Sequence, residues 1–230
     1  GACAAVHAAD DTRHALGEFE VLAAPAGVLI AAPHGSFDAR SDVLAIAAAR
    51  ASGAGYVVAR RFTPDKVRLN VNRPSEGASA ACAQEAQTER AREVYAEYLR
   101  LVGGAAGGAP LRLYVEVHCN ANPRTAQQIE VATTGITAAQ AQRVKDGYAA
   151  MLARVRERAP AYPALTLLVE PVDRIYFTAS CAKTIGLFAT PVAPRVVHIE
   201  LPRAARENNT LDGTATLVAE IMRAVLEMAP

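Results

Sequence analysis

Residues 28–59 have the sequence VLIAAPHGSFDARSDVLAIAAARASGAGYVVA, and this stretch decides the fold class. It begins with the continuous apolar run Val28–Ala32, which is typical of a buried strand, and Pro33 ends that run. Residues 41–51 place three apolar side chains on one face, which predicts a helix. Residues 55–59 form a second apolar run. A strand, a helix and a strand in this order predict a β-α-β unit.

The same alternation continues along the rest of the chain. Further strands are predicted at residues 111–117, 128–133, 165–169 and 196–201, and further helices at 84–102, 137–158 and 210–228. Thr137 and Gln140 have the spacing of a capping box at the start of a helix. We therefore expect a single domain over residues 1–230, an α/β fold with helices on both faces of a mostly parallel or mixed sheet. Residues 1–18 are expected to form a flexible N-terminal arm.

The composition excludes several classes of protein. The 230 residues include 24 Lys and Arg against 23 Asp and Glu, which gives a net charge of +1. This balance argues against a nucleic-acid-binding protein, because phosphate backbones are bound by a concentrated basic surface. No uncharged apolar stretch reaches about 18 residues, so no membrane span is predicted.

The N-terminus and the cysteines leave the compartment open. Residues 6–8, Val-His-Ala, fit the small-x-small pattern before a signal-peptide cleavage site, but they also fit an alanine-rich tail. Export to the periplasm or medium and residence in the cytoplasm are therefore both compatible with the sequence. The cysteines allow two disulfides or four free thiols, and their long, irregular spacing favours buried thiols. They are Cys3, Cys82, Cys119 and Cys181.

Polar side chains collect where three predicted strands end. His34 and Asp38 follow the first strand, His118 follows the strand at 111–117, and Glu200 lies near the end of a later strand. Ligand sites in such folds lie beyond the carboxyl ends of the strands. Two imidazoles and one carboxylate form the ligand set of a catalytic zinc with an open position for water. Glu200 would then be the general base. Each residue alone also fits a hydrogen-bonded, partly buried polar group.

Three further groups of residues carry less specific signals. Residues 68–74, Arg-Leu-Asn-Val-Asn-Arg-Pro, are rich in amide and guanidinium donors, which suit a substrate carboxylate as well as a solvated loop. His198 shares a strand face with Glu200, so it either pairs with Glu200 or fills space. The segment 170–186 contains polar groups that could line a pocket: Asp173, Arg174 and Lys183.

Four short motifs, in order along the chain, resemble the N-formylglutamate amidohydrolase family. They are Pro33-His34-Gly35, Leu69-Asn70-Val71-Asn72-Arg73-Pro74, Glu116-Val117-His118 and Ile199-Glu200-Leu201-Pro202-Arg203. They span residues 30 to 205, most of the chain. The resemblance implies a three-layer α/β/α fold of the zinc carboxypeptidase-like group. The spacing of His34 and Asp38 is also similar to the H-x-x-x-E ligand pair of poly-γ-glutamate hydrolases.

The resemblance implies a role for each matched residue. It implies that one zinc ion is held by His34, Asp38 and His118, and that Glu200 activates the attacking water. Apart from the resemblance, we expect Glu116 or another carboxylate to hydrogen-bond a ligand imidazole from behind the metal ligands.

The substrate-binding residues also follow from the resemblance. Asn72 and Arg73 would clamp a substrate carboxylate, and Arg203 would support the site or the substrate. The chain departs from the family pattern at four places. Glu116 replaces aspartate, Cys119 replaces serine and Asp38 replaces the usual glutamate, and the element Asn70-Val71-Asn72-Arg73 lacks the usual aspartate.

The function expected from the sequence is a zinc-dependent amidohydrolase that cleaves an amide bond next to a carboxylate. N-formylglutamate or a related N-acyl amino acid is the first expected substrate class. The alternative enzyme is a γ-glutamyl, poly-γ-glutamate or cell-wall peptide hydrolase. The alternative from another class is a metal-binding or ligand-binding module without catalysis.

Overall fold

The fold is described from a computed structural model of the chain, which places residues 10–35, 37–78 and 81–229. The strands in chain order are β1 (Asp10–His14), β2 (Gly17–Leu22), β3 (Val28–Ala32), β4 (Gly55–Arg60), β5 (Leu113–Cys119), β6 (Gln128–Thr134), β7 (Thr166–Val169) and β8 (Val196–Leu201). The helices are α1 (Ser41–Ser52), α2 (Glu89–Ala105), α3 (Ala138–Arg158), α4 (Ser180–Ile185) and α5 (Leu211–Leu226).

The strands form one mixed sheet in the order β1-β2-β4-β3-β5-β8-β6-β7. Its centre is parallel, because β3 pairs in parallel with β4 and β5, and β5 pairs in parallel with β8. The β1-β2 hairpin joins β4 antiparallel at one side, and β6 joins β8 antiparallel at the other. The carboxyl ends of β3, β5 and β8 therefore meet at one edge of the sheet.

Helices cover both faces of the sheet. One apolar core packs α1, α3 and α5 against the first face, and a second core packs α2 against the opposite face. Helix α1 buries Ala45, Ala48 and Ala49, whose short side chains allow the helix to lie close to the sheet. Each fully buried leucine-sized side chain, such as Leu44 or Leu217, contributes about 1.5–3 kcal/mol to stability. The predicted three-layer α/β/α fold with a mixed sheet is confirmed.

The helix starts follow local capping chemistry. Thr137 accepts a hydrogen bond from the backbone nitrogen of Gln140, and the Gln140 side chain accepts one from the Thr137 nitrogen, so the predicted capping box is confirmed. Helix α2 begins later than residue 84, because Cys82–Gln84 forms a separate 3₁₀ turn. Thr88 caps α2 by accepting from the nitrogen of Ala91.

The expected N-terminal arm is replaced by a hairpin from Asp10 onward. Strands β1 and β2 pair from Asp10 with Val21 to His14 with Gly17. Phe19 fixes this hairpin to the domain, because its fully buried ring packs 4.7 Å from the ring of Phe62. Residues 1–9, including the segment considered as a signal-peptide end, lie outside the described residues.

The cysteines differ from the expectation of buried thiols. Cys82 and Cys181 form a disulfide across 99 residues of sequence, whereas Cys119 is a buried free thiol. Cys3 lies outside the described residues. Within the described part of the chain, no helix combines the length and the apolar character needed to cross a bilayer.

Candidate metal centre and pocket

A polar cavity of about 350 Å³ opens at the carboxyl ends of β3, β5 and β8. His34 lies after β3, His118 lies within β5 near its end, and Glu200 lies near the end of β8. All three side chains line the cavity, together with Asp38. Topology alone accounts for this convergence, since parallel neighbours end at the same edge of the sheet.

The turn after β3 brings Asp38 back beside His34. The backbone nitrogens of Phe37 and Asp38 donate to the carbonyl oxygen of His34 at 3.0 and 2.8 Å. Gly35 is required in this turn, because a Cβ at that position would lie 2.4 Å from the carbonyl oxygen of Ala59. Asp38 Oδ2 consequently lies 3.5 Å from His34 Nδ1.

Both histidines direct the same ring nitrogen towards Asp38. His34 Nε2 donates to the carbonyl oxygen of Asn70 at 3.0 Å, and His118 Nε2 donates to Glu116 Oε2 at 2.7 Å. Their Nδ1 atoms face Asp38 Oδ2, which lies 3.0 Å from His118 Nδ1. Hydrogen bonds that fix the far nitrogen of a histidine are typical of metal-ligating imidazoles. The ligand atoms of His34, Asp38 and His118 all lie within 4.8 Å of one another, and this set fits a single divalent ion.

The protonation states of His34 and Asp38 also suit metal binding, because the imidazole is held neutral and the carboxyl group is held ionised. Burial and the cation of Arg68 lower the pKa of His34 to about 3. Burial works against a charged His118, but Asp38 and Glu116 outweigh it and raise the pKa of that imidazole to about 10. Burial likewise opposes ionisation of Asp38, yet the hydrogen bonds to His118 and His34 keep the pKa of its carboxyl well below the usual value. The extra proton on His118 lies where a metal ion would bind, and metal binding would release it.

Glu200 is the carboxylate in the cavity whose pKa is raised. Burial is the largest influence and raises the pKa of Glu200 to about 7. Asn120 Nδ2 donates to Glu200 Oε1 at 3.1 Å and holds the carboxyl group in place. A carboxyl group that titrates near neutral pH suits general acid-base chemistry.

His198 contacts both His118 and Glu200. Its ring stacks on the ring of His118 with centroids 4.0 Å apart, and its Nε2 lies 3.7 Å from Glu200 Oε2. The buried Nδ1 of His198 has no hydrogen-bond partner among the described residues. The sequence left pairing with Glu200 and space filling open, and the structure gives His198 contacts of both kinds.

The predicted substrate residues lie in two different places. Asn72 and Arg73 are buried and line the cavity, but both already have protein partners. Asn72 Nδ2 donates to Glu116 Oε2 at 3.0 Å, and Arg73 forms a two-pronged ion pair with Glu85. Arg203 is exposed in a 3₁₀ turn and does not line the cavity.

Several cavity residues were not singled out from the sequence. Arg68, in the donor-rich segment 68–74, has its Nη2 3.0 Å from His34 Nδ1 and its guanidinium 3.9 Å above the Phe37 ring. Glu85 and Asn120 carried no motif signal. Residues 176–182 form a further wall, which the Cys82–Cys181 disulfide joins to the 3₁₀ turn at Cys82–Gln84.

The segment 170–186 separates this cavity from a second one of about 640 Å³. Asp173, Arg174 and Lys183 line the second cavity, and Thr178 is the one described residue that lines both. Lys183 pairs with Glu170 at 2.6 Å, and Asp173 pairs with Lys145. These polar residues therefore stabilise the wall and do not reach the histidine cluster.

Comparison with known proteins relates the chain to solved structures. No protein-family model matches the sequence, and no curated protein matches it either. A bacteriophage poly-γ-glutamate hydrolase has a similar structure, with a TM-score of 0.53 and 10% sequence identity over 92% of this chain and 90% of that one. A gene product of Agrobacterium tumefaciens gives a TM-score of 0.53 and 13% identity over 90% and 94% of the two chains. A metallo-carboxypeptidase from Burkholderia cenocepacia gives 0.46 and 13%, covering 93% of this chain and 64% of that one.

The two similarities with a TM-score of 0.53 establish the fold. At such low identity they assign no activity, so the functional argument rests on the residues of the cavity.

Proposed function

We propose that the protein is a zinc-dependent amidohydrolase that cleaves an amide bond next to a carboxylate. The observation that carries this proposal is the convergence of His34, Asp38 and His118 beside Glu200, in one cavity at the carboxyl edge of the sheet. Three protein ligands with an adjacent carboxyl group form the arrangement that hydrolytic zinc sites require.

One zinc ion would be held by His34 Nδ1, His118 Nδ1 and the carboxylate of Asp38. Arg68 Nη2, which donates to His34 Nδ1 at 3.0 Å, would have to release that nitrogen on metal binding. When bound, zinc supplies Lewis-acid polarisation of the substrate carbonyl and lowers the pKa of water towards about 7. Glu116 keeps His118 in the ligating tautomer through the 2.7 Å hydrogen bond to Nε2. The Asn70 carbonyl does the same for His34.

Glu200 acts as the general base and later as the general acid. With its pKa near 7, it accepts a proton from the attacking water at neutral pH and gives it to the leaving amine. Asn120 keeps the carboxyl group oriented through its hydrogen bond to Oε1. A buried carboxyl group that titrates near neutral pH is typical of catalytic residues, which favours an enzyme over a non-catalytic binding module.

Arg68 is the cavity cation that remains for a substrate carboxylate. It hydrogen-bonds Asn70 and His34, but forms no ion pair with a described carboxylate. Burial is the largest influence on the pKa of Arg68 and lowers it to about 10, so the guanidinium stays charged at neutral pH. Asn72 and Arg73 are held by Glu116 and Glu85 and would shape the wall of the cavity, whereas the exposed Arg203 has no part in the proposal.

N-acyl amino acids of the N-formylglutamate type are one candidate substrate class. A γ-glutamyl, poly-γ-glutamate or cell-wall peptide substrate is the second candidate, and two observations favour it. The fold is similar to that of a poly-γ-glutamate hydrolase. In addition, the Cys82–Cys181 disulfide is typical of proteins in oxidising, extracytoplasmic compartments, which fits a substrate outside the cytoplasm.

A substrate screen with the zinc-loaded protein tests the proposal. N-formyl, N-acyl and γ-glutamyl compounds are incubated with wild type and with Glu200→Gln, and release of the amine is measured. Hydrolysis of at least one class by wild type, lost in the variant, is the expected result. Zinc binding without hydrolysis of any class would favour the binding module.

A further inference from the structure

Arg73 is paired with a carboxylate of the protein itself. Its Nε donates to Glu85 Oε2 at 2.8 Å and its Nη2 donates to Glu85 Oε1 at 2.6 Å. Its Nη1 donates to Asn72 Oδ1 at 3.1 Å. The charge of Arg73 is therefore neutralised before any substrate enters, although Arg73 lines the cavity.

Several contacts hold Glu85 in this position. Arg73 and Glu85 are 9% and 8% exposed, and Ser75 Oγ donates to Glu85 Oε2 at 2.6 Å. Glu85 directly follows the 3₁₀ turn that the disulfide from Cys82 ties to Cys181. Cys181 Sγ lies 3.1 Å from Glu85 Oε2. A buried two-pronged pair fixed in this way is a permanent part of the wall, because separating it would leave two unpaired buried charges.

Apart from the Arg73–Glu85 pair, the cavity is lined by two carboxylates and one guanidinium group. The carboxylates of Asp38 and Glu200 lie near the histidines, and Arg68 is the cavity cation without an ion pair among the described residues. A first substrate carboxylate can pair with Arg68. A second one would meet the neutral Arg73–Glu85 pair and lose its hydration without gaining a counter-charge. A carboxamide, or a chain that continues through an amide bond, avoids that cost.

We propose, resting on the proposed function, that Glu85 is a specificity-determining residue that restricts the subsite on the amine side of the scissile amide to residues with a single carboxylate. N-acylglutamate carries two carboxylates. A γ-linked glutamyl residue within a chain carries only one on that side, since its side-chain carboxyl group is in the next amide bond, and the carboxylate of the preceding residue lies on the acyl side. Glu85 thus selects the chain-like substrate class over N-formylglutamate.

Two compounds of nearly identical shape test this selection: N-acetylglutamine and N-acetylglutamate. Their binding to the metal-free protein is measured by calorimetry, so that the result does not depend on catalysis. Wild type is expected to bind N-acetylglutamine about ten-fold more tightly, which corresponds to about 1.4 kcal/mol. Glu85→Gln leaves Arg73 unpaired, and the ratio is expected to move at least about ten-fold towards N-acetylglutamate.

Two further variants separate the effect of the Glu85 charge from general structural effects of a substitution. Glu76 forms the same kind of two-pronged pair with Arg90 and does not line the cavity, so Glu76→Gln is the matched control and should keep the wild-type ratio. The double variant Arg73→Gln/Glu85→Gln leaves no buried unpaired charge, so the shift expected in Glu85→Gln should be absent from it.

The outcomes separate this inference from the proposed function. A shift of the binding ratio in Glu85→Gln alone supports the inference even if the zinc-loaded protein hydrolyses nothing in the screen. The inference is overturned if wild type prefers N-acetylglutamate, if Glu85→Gln changes the ratio less than about three-fold, or if neither compound binds. In each of these cases, the zinc content and the hydrolysis screen still test the proposed function independently.

Discussion

His118 and Glu200 lie directly opposite each other on the parallel strands β5 and β8. The same register places Glu116 opposite His198, so four polar side chains of two neighbouring strands share one face of the sheet. A candidate metal ligand and a candidate base are thus fixed relative to each other by backbone pairing. Residues on paired strands hold such a geometry more precisely than residues on loops.

The substitution Glu200→Gln removes the proposed general base and keeps the shape of the side chain. The amide cannot accept the proton of the attacking water, so turnover should fall about 10²–10⁴-fold. Zinc content should stay at the wild-type value, because Glu200 does not belong to the ligand set. The measurement is kcat together with metal analysis. Full turnover in this variant would remove Glu200 from the mechanism.

The pH dependence of the rate follows from the acidity of Glu200. Its pKa in the folded protein is about 7, raised mainly by burial, and the base works only when ionised. Bound zinc would stabilise the ionised form, so the rate should decline as the pH falls through a pKa at or below about 7 and level off above it. A kcat profile from pH 5 to 9 checks this expectation. A rate that is constant from pH 5 to 8 would contradict the assignment.

Glu116→Gln tests the support of His118. Glu116 is fully buried, accepts from His118 Nε2 and also receives hydrogen bonds from Tyr114 and Asn72. Loss of its charge should weaken zinc binding about 10–100-fold, as for other residues behind metal ligands. Chelator competition measures the change. The paired variant Glu130→Gln, at another buried carboxylate of the sheet, should keep the wild-type affinity.

Gly35→Ala tests the turn that positions His34 and Asp38. The added Cβ would lie 2.4 Å from the Ala59 carbonyl oxygen, so the turn must shift. We expect a loss of about 1–3 kcal/mol in the free energy of unfolding and weaker zinc binding. Gly103→Ala is the control, because its Cβ would meet no atom within 4 Å. Thermal melts of both variants check the prediction, and equal melting temperatures would contradict it.

The sequence predicted the features that depend on local patterns and strand topology. The apolar runs located β3, β4, β5 and β8, and their shared edge explains why His34, Asp38, His118 and Glu200 lie together. The capping box at Thr137 is a contact between residues three apart and was therefore visible in the sequence.

The features that the sequence did not predict depend on long-range contacts or weak patterns. Strand β1 has the polar sequence Asp-Asp-Thr-Arg-His and therefore shows no alternation of apolar residues. Its partner strand β2 contributes one buried side chain to the core, that of Phe19. The disulfide joins residues 99 positions apart. The Arg73–Glu85 pair forms across irregular chain, where no periodicity relates the two residues.

The metal content of the purified protein tests the central claim most directly. Elemental analysis is made on wild type and His118→Ala, with His14→Ala as a control at a histidine outside the cavity. We predict about one zinc per chain in wild type and in the His14 variant, and none in the His118 variant, because that change removes one of three protein ligands. A wild-type protein that contains no zinc and takes up none when zinc is added would contradict the account.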